Sequence, residues 1–191
     1  MDVVVALHAA AAVLLLIAGA AKLVRPQPTV ELVTDLGLPA PRAAIMALGL
    51  FEVSVAVVAL AFDDVGPAVA VGGLYVVFGV VVVRSLSLGA TSCGCFGRAE
   101  TPPSWLHVVG NFGFAIASFV AASADRSPVD VMGDQPASGA PFVLLVGVIA
   151  GLAMVGFTAL PEALAARRPG SSGPDSFKLS GRADGAGSGT R

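Results

Sequence analysis

The sequence predicts an all-α integral membrane protein: a four-helix transmembrane bundle core, a fifth transmembrane helix and a disordered C-terminal tail. Three observations carry that prediction. Of 191 residues, 55% are hydrophobic and 13% charged, about half the charged share of an ordinary soluble domain, and the mean hydropathy is +0.85. The apolar residues gather into five runs, each near the roughly 20 residues that a helix needs to cross a hydrocarbon core about 30 Å thick. From Arg167 onward the chain reads RRPGSSGPDSFKLSGRADGAGSGTR, rich in Gly and Ser and without an apolar period, the composition of a disordered segment.

The first run, Val3 to Ala21, is apolar but for His8. Ala18-Gly19-Ala20 has the small residues of a signal cleavage site, yet the segment before the run is MDVVV, with an acid where a secretory signal carries basic residues. The run is therefore read as a retained span. The second, Ala43 to Phe62, is broken only by Glu52; the third, Val65 to Val83, has Tyr75 as its one ionisable residue. The fourth, Thr101 to Ala124, contains His107 and Asn111, and the fifth runs from about Phe142 to Leu160. All must be helical, since an isolated strand would leave its backbone groups unpaired in lipid. The resulting organisation is a four-span domain over residues 1–130, an additional span over 131–166 and a cytoplasmic tail over 167–191.

Charge placement sets the orientation. Of the 11 Lys and Arg residues, every one but Arg126 flanks the first connection, the third connection or the tail. The second connection offers only Asp63 and Asp64, and the fourth sets Arg126 among Asp125, Asp130 and Asp134. The positive-inside rule then places the N-terminus outside and the C-terminus in the cytoplasm of a multi-pass cell (inner) membrane protein.

The expected partner is the lipid bilayer. No Gly-rich phosphate loop, zinc-ligand spacing or internal repeat suggests a nucleic acid, a cofactor or a metal. A closed zinc site needs four ligands, and the two histidines fall at opposite membrane boundaries.

Both cysteines lie in TSCGCFGRAE, the third connection, as Cys93-Gly94-Cys95. A Cys-x-Cys disulfide closes a small ring that needs an unusual backbone at its middle residue, which glycine allows. Such a bridge would be strained and labile. Thr101 and Pro102 can open the next helix, so its positive end and Arg98 favour thiolate, the nucleophilic form, while Glu100 opposes it. The alternative is that two small apolar residues pack at a helix end.

Polar residues within apolar runs form a second group. Glu52 and Asn111 lie at matching depths, roughly 12 to 14 Å below the cytoplasmic boundary, and could meet if their helices pack. His107 is one turn before Asn111 on the same helix face. A polar path from Cys93 and Cys95 through His107 to Asn111 and Glu52 would suit a proton-coupled thiol reaction. Equally, Glu52 and Asn111 could serve as interhelical hydrogen-bonding groups. Lys22 is expected to snorkel to the headgroups, His8 to have no special role, Trp105 to anchor at the interface, and Gly147 and Gly151 to favour close helix packing.

The run Ser92-Cys93-Gly94-Cys95-Phe96-Gly97, then Trp105-Leu106-His107 and Asn111 inside an apolar helix, resembles the MauE family of methylamine utilisation membrane proteins. Gly19-Ala20-Ala21-Lys22-Leu23 and Glu52 are also similar to the wider DoxX-like group. The resemblance covers roughly Val3 to Ala124. It implies a four-helix membrane core that matures the small (beta) subunit of methylamine dehydrogenase, an exported, disulfide-rich client, together with a thioredoxin-like partner. It also implies that Cys93 and Cys95 form the redox pair.

The sequence thus points to a membrane maturation factor acting by thiol-disulfide exchange, an accessory protein more than an enzyme. Two other classes remain open: a small transporter or channel-like bundle with structural cysteines, and a scaffolding membrane subunit. One tension stands out. Positive-inside counting puts the thiols on the cytoplasmic side of a protein whose implied client folds outside, and two cysteines leave no second pair to relay electrons across.

Overall fold

The computed structural model describes residues 2–62, 64–89, 103–124 and 126–166. Cys93, Cys95 and the C-terminal tail lie outside the described residues. Within them every regular element is helical: α1 (Asp2–Val24), α2 (Gln27–Asp35), α3 (Arg42–Ala61), α4 (Val65–Ser87), α5 (Trp105–Ala121), α6 (Pro128–Gly133) and α7 (Ala140–Ala166), with a 3-10 turn over Ala137–Gly139 before α7. Four helices, α1, α3, α4 and α7, are long and apolar enough to cross a membrane. The predicted fourth span appears as α5, a shorter helix of 17 residues, about 25 Å long at 1.5 Å per residue.

The bundle is built around α1. α1 buries Val5, Ala6, Ala9 to Ala12, Leu14, Leu15 and Ala18, a larger share of its length than the other three helices of spanning length bury. It packs against α3, α4, α5 and α7. Its run of alanines lets those neighbours approach closely, which is how helices associate in lipid, where burying apolar surface gives little drive. Outward-facing side chains such as Leu50, Phe51, Val80, Leu144 and Leu152 are large, apolar and exposed. A surface of that kind, far beyond the apolar patches of soluble proteins, is suited to lipid.

A close backbone approach joins α1 to α3 at Gly19 and Gly49. A Cβ on Gly19 would lie 2.7 Å from the Gly49 carbonyl oxygen, and one on Gly49 would lie 2.8 Å from the Gly19 oxygen. The glycine pair that was expected to pack, Gly147 and Gly151, does not: a Cβ at either would meet nothing within 4 Å. Both point away from the bundle because α7 uses Phe142, Ala150 and Phe157 as its buried face.

Phe157 belongs to the same core as α1, α3, α4 and α5. It fits because Gly110 of α5 leaves room for its ring, whose nearest atom would be 2.3 Å from a Cβ there. Residues after 130 therefore contribute to the core of the bundle, although their helix lies outside the four-span unit.

Two helices were not foreseen. α2 follows Pro26 and carries Pro28 in its first turn, a position where the missing N–H costs nothing; it buries Thr29 and Leu32. α6 begins with a capping box in which the Ser127 hydroxyl accepts from the Asp130 N–H and the Asp130 carboxylate accepts from the Ser127 N–H. Arg126 beside it pairs with Asp134.

Hydrogen bonds from Ser127 hold the Asp130 carboxyl below its ordinary pKa. A depressed carboxylate pKa adds stability above the unfolded-state value and loses it as pH falls through the folded one. Ser127→Ala should therefore loosen α6 at neutral pH, by about 0.5–2 kcal/mol for the lost cap. Acidification below about pH 4, the ordinary carboxylate range, should loosen α6 in the parent chain and loosen it less in the variant, which keeps only the backbone N–H bond to the Asp130 carboxylate. Hydrogen exchange at Val131 and Met132 reads both effects; equal pH profiles for the two chains would contradict this account.

Candidate functional site

Lys22 and Glu52 form the polar centre of the molecule. Lys22 Nζ lies 2.9 Å from Glu52 Oε2, with the two residues 5% and 0% exposed. Lys22 does not snorkel. The Glu52 Cβ sits 3.0 Å from where a Gly19 Cβ would be, one turn toward the N-terminus of α1 from Lys22. Helical side chains lean in that direction, so the ammonium reaches back into the bundle and not out to the headgroups. The Gly19–Gly49 contact brings the two helices close enough to make the ion pair. Lys22 Nζ also stands 5.4 Å from the centroid of the Phe78 ring, within cation–π range.

Glu52 Oε1 is buried without a hydrogen-bond partner among the described residues. Burying two charges is favourable only when their geometry is good and their remaining polar atoms are satisfied. This pair has the first feature, and an orphaned oxygen lacks the second. That combination is more often kept for what it does than for stability.

Asn111 and His107 lie on one face of α5, as their spacing predicted, and both are buried. They do not complete the expected chain to Glu52. Asn111 Nδ2 donates to the His107 carbonyl oxygen at 2.7 Å, and among the described residues Asn111 and Glu52 share no hydrogen bond. His107 Nδ1 is 2.8 Å from Ser104 Oγ, and its ring stacks on Phe157 with centroids 5.1 Å apart and planes 19° apart.

These groups meet at a cavity of about 140 Å³ lined by residues of α1, α2, α3, α4, α5 and α7. Lys22, Thr29, Tyr75, Phe78, His107, Asn111 and Phe157 all line it, and the remaining wall is apolar. Tyr75 braces it by donating its hydroxyl proton to the Ala11 carbonyl oxygen at 2.8 Å, and it packs against the Phe114 ring at 5.4 Å. Glu52 stands behind Lys22 and is not part of the wall. Sequence reading missed Tyr75, whose position in an apolar span gave the only signal.

At the opposite end of the bundle His8 is buried, with Nδ1 3.1 Å from Ser118 Oγ. Expected to have no special role, it ties α1 to α5. Its partner is distant in sequence, so no local pattern announces it. Trp105, at the start of α5, is 68% exposed. Among the described residues no cluster of side chains could hold a metal ion.

A helical bundle with four apolar helices of spanning length, an apolar exterior and an internal ion pair defines a multi-pass membrane protein. Its family can be named. Residues 2–124 match the model of the methylamine utilisation protein MauE family, which spans more than half of the chain, and the protein belongs to that family. No curated protein and no solved structure shows significant similarity to it.

Proposed function

We propose that the protein is a maturation factor of the cell (inner) membrane that acts by thiol-disulfide exchange through Cys93 and Cys95. The supporting observation is positional. The segment holding both thiols joins Gly89, just beyond α4, to the Ser104 that precedes α5, and these ends adjoin the half of the bundle where Lys22, His107 and Asn111 border the cavity. In such exchange one thiolate attacks a disulfide sulfur and expels the other partner sulfur, a mixed disulfide forms, and the second thiol then attacks the first cysteine's sulfur and releases the partner as a dithiol, leaving a Cys93–Cys95 disulfide. One partner leaves reduced and the other oxidised.

Family membership suggests as client an exported, disulfide-rich protein such as the methylamine dehydrogenase small subunit, with a thioredoxin-like protein as redox partner. In this reading α5 also crosses the bilayer, aided by local adjustment of its thickness. The N-terminus is then outside, and the third connection and the tail are cytoplasmic. The four-span unit carries the family's activity, and α7 closes one wall of its cavity.

Replacing both thiols, as Cys93→Ser/Cys95→Ser, should abolish client maturation while leaving the chain folded in the membrane. A membrane-impermeant maleimide should label the parent thiols, after reduction, from the cytoplasmic side only. Full client maturation by the double variant would remove the redox role, and labelling from outside would reverse the orientation.

A further inference from the structure

The cavity beside Lys22 has the size and the chemistry of a particular ligand. Its volume, about 140 Å³, is close to that at which an engineered apolar cavity takes up benzene, about 150 Å³. Four of its lining side chains are rings: Tyr75, Phe78, His107 and Phe157.

Most of the polar capacity around it is already committed. The Tyr75 hydroxyl proton goes to Ala11, and His107 Nδ1 is bonded to Ser104. Lys22 gives one of its three N–H groups to Glu52, and Asn111 gives one of its two amide hydrogens to the His107 carbonyl. Among the described residues, Thr29 is also engaged, while Lys22 and Asn111 line the cavity with N–H groups to spare, and what they need is an acceptor.

Charge narrows the choice further. Glu52 already neutralises Lys22, so a carboxylate or phosphate entering the cavity would bury an unbalanced negative charge. A neutral ring bearing carbonyl oxygens would not. Val77 lines the cavity and is 55% exposed among lipid-facing residues, so an apolar tail attached to that ring has a way into the bilayer.

We infer that the cavity binds the ring of a membrane quinone, whose carbonyl oxygens accept hydrogen bonds from Lys22 and Asn111 and whose tail leaves past Val77. Binding stands on these residues alone. A coupled reaction rests on the thiol-disulfide reading above: conversion of the Cys93 and Cys95 thiols to a disulfide releases two electrons and two protons, and these reduce one quinone to one quinol. Such a step would also give electrons taken up at the thiols a carrier dissolved in the membrane.

The test uses the purified full chain in detergent with a ubiquinone bearing one isoprene unit, read by equilibrium dialysis and by thermal unfolding. Saturable binding of one quinone per chain is expected. Val81→Phe, which fills the cavity from its wall without touching the ion pair, should weaken binding at least tenfold. Lys22→Met/Glu52→Gln removes the donor and its counter-charge together; it should weaken quinone binding similarly while leaving uptake of prenylbenzene, a ring without carbonyls, unchanged.

No saturable binding to the parent chain, equal binding by Val81→Phe, or displacement of the quinone by a fatty acid at equal concentration would each overturn the site. The Cys93→Ser/Cys95→Ser variant should bind as the parent does. Binding without quinol formation by the reduced parent chain upholds the quinone site and overturns the electron transfer; absence of binding overturns the site and leaves the thiol reading to its own test.

Discussion

Glu52→Ala should destabilise the protein by about 3–5 kcal/mol, the cost of leaving one member of a buried ion pair without its partner. The basis is the burial: Lys22 is 5% exposed and its ammonium stands 2.9 Å from Glu52 Oε2. With the carboxylate gone, the Phe78 ring still stands beside the ammonium, and cation–π attraction returns about 2 kcal/mol, less than the pair supplied. Lys22→Met should be destabilising for the same reason.

The double variant Lys22→Met/Glu52→Leu should behave differently. Replacing a whole buried pair by well-packed apolar residues is often neutral or stabilising by about 1–4 kcal/mol, and here it also removes the unsatisfied Oε1. Thermal unfolding of the three variants in one detergent checks the set. A single variant as stable as the parent would show that the pair is not buried as described. A double variant as stable as the parent, yet inactive, would show that the pair serves function at no gain in stability.

Much of the bundle was legible because lipid asks so little of a sequence. α1, α3, α4 and α7 each announce themselves as a long apolar run with at most one ionisable residue inside it, and no knowledge of neighbours is needed to place them. The fourth run was legible as an apolar helix but not in length: a span over Thr101 to Ala124 was expected, and the described helix is Trp105–Ala121, shorter than the four of spanning length. α2 and α6 escaped because short helices at a bundle's ends carry no long run. Their signals were Pro28 in a first turn and the Ser127 and Asp130 cap.

Lys22 shows where such reading stops. Snorkelling assumes that a lysine near a helix end has lipid beside it. Lys22 instead faces α3, because glycines at positions 19 and 49 let two backbones touch, and that contact joins residues 30 positions apart. Glu52 was recognised as a charge in need of a partner, and its partner was already on the page as the residue thought to point away. Asn111 was expected to supply that partner. It turned instead to its own helix, satisfying its amide on the His107 carbonyl, a local bond that competes with any reach across the bundle.

Gly19→Ala and Gly147→Ala should move stability in opposite directions, although both change a glycine to the best helix former inside an apolar helix. At Gly147 a Cβ meets nothing within 4 Å, so the substitution gains only helix propensity, up to about 1 kcal/mol. At Gly19 the new Cβ would meet the Gly49 carbonyl oxygen at 2.7 Å and the Val53 Cγ2 at 2.9 Å. A backbone oxygen inside a helix cannot swing aside, so α1 and α3 must separate. Overpacking of this kind costs about 1–3 kcal/mol, more than propensity returns.

The separation also acts on the ion pair, which spans the same interface one turn away. In the Gly19→Ala background the coupling energy between Lys22 and Glu52, measured by a double-mutant cycle, should fall below its value in the parent chain by an amount within the 0.5–3 kcal/mol range of such couplings. If Gly19→Ala and Gly147→Ala are equally stable, or if the Lys22–Glu52 coupling is the same in both backgrounds, the two glycines of α1 and α3 do not set the geometry of the site.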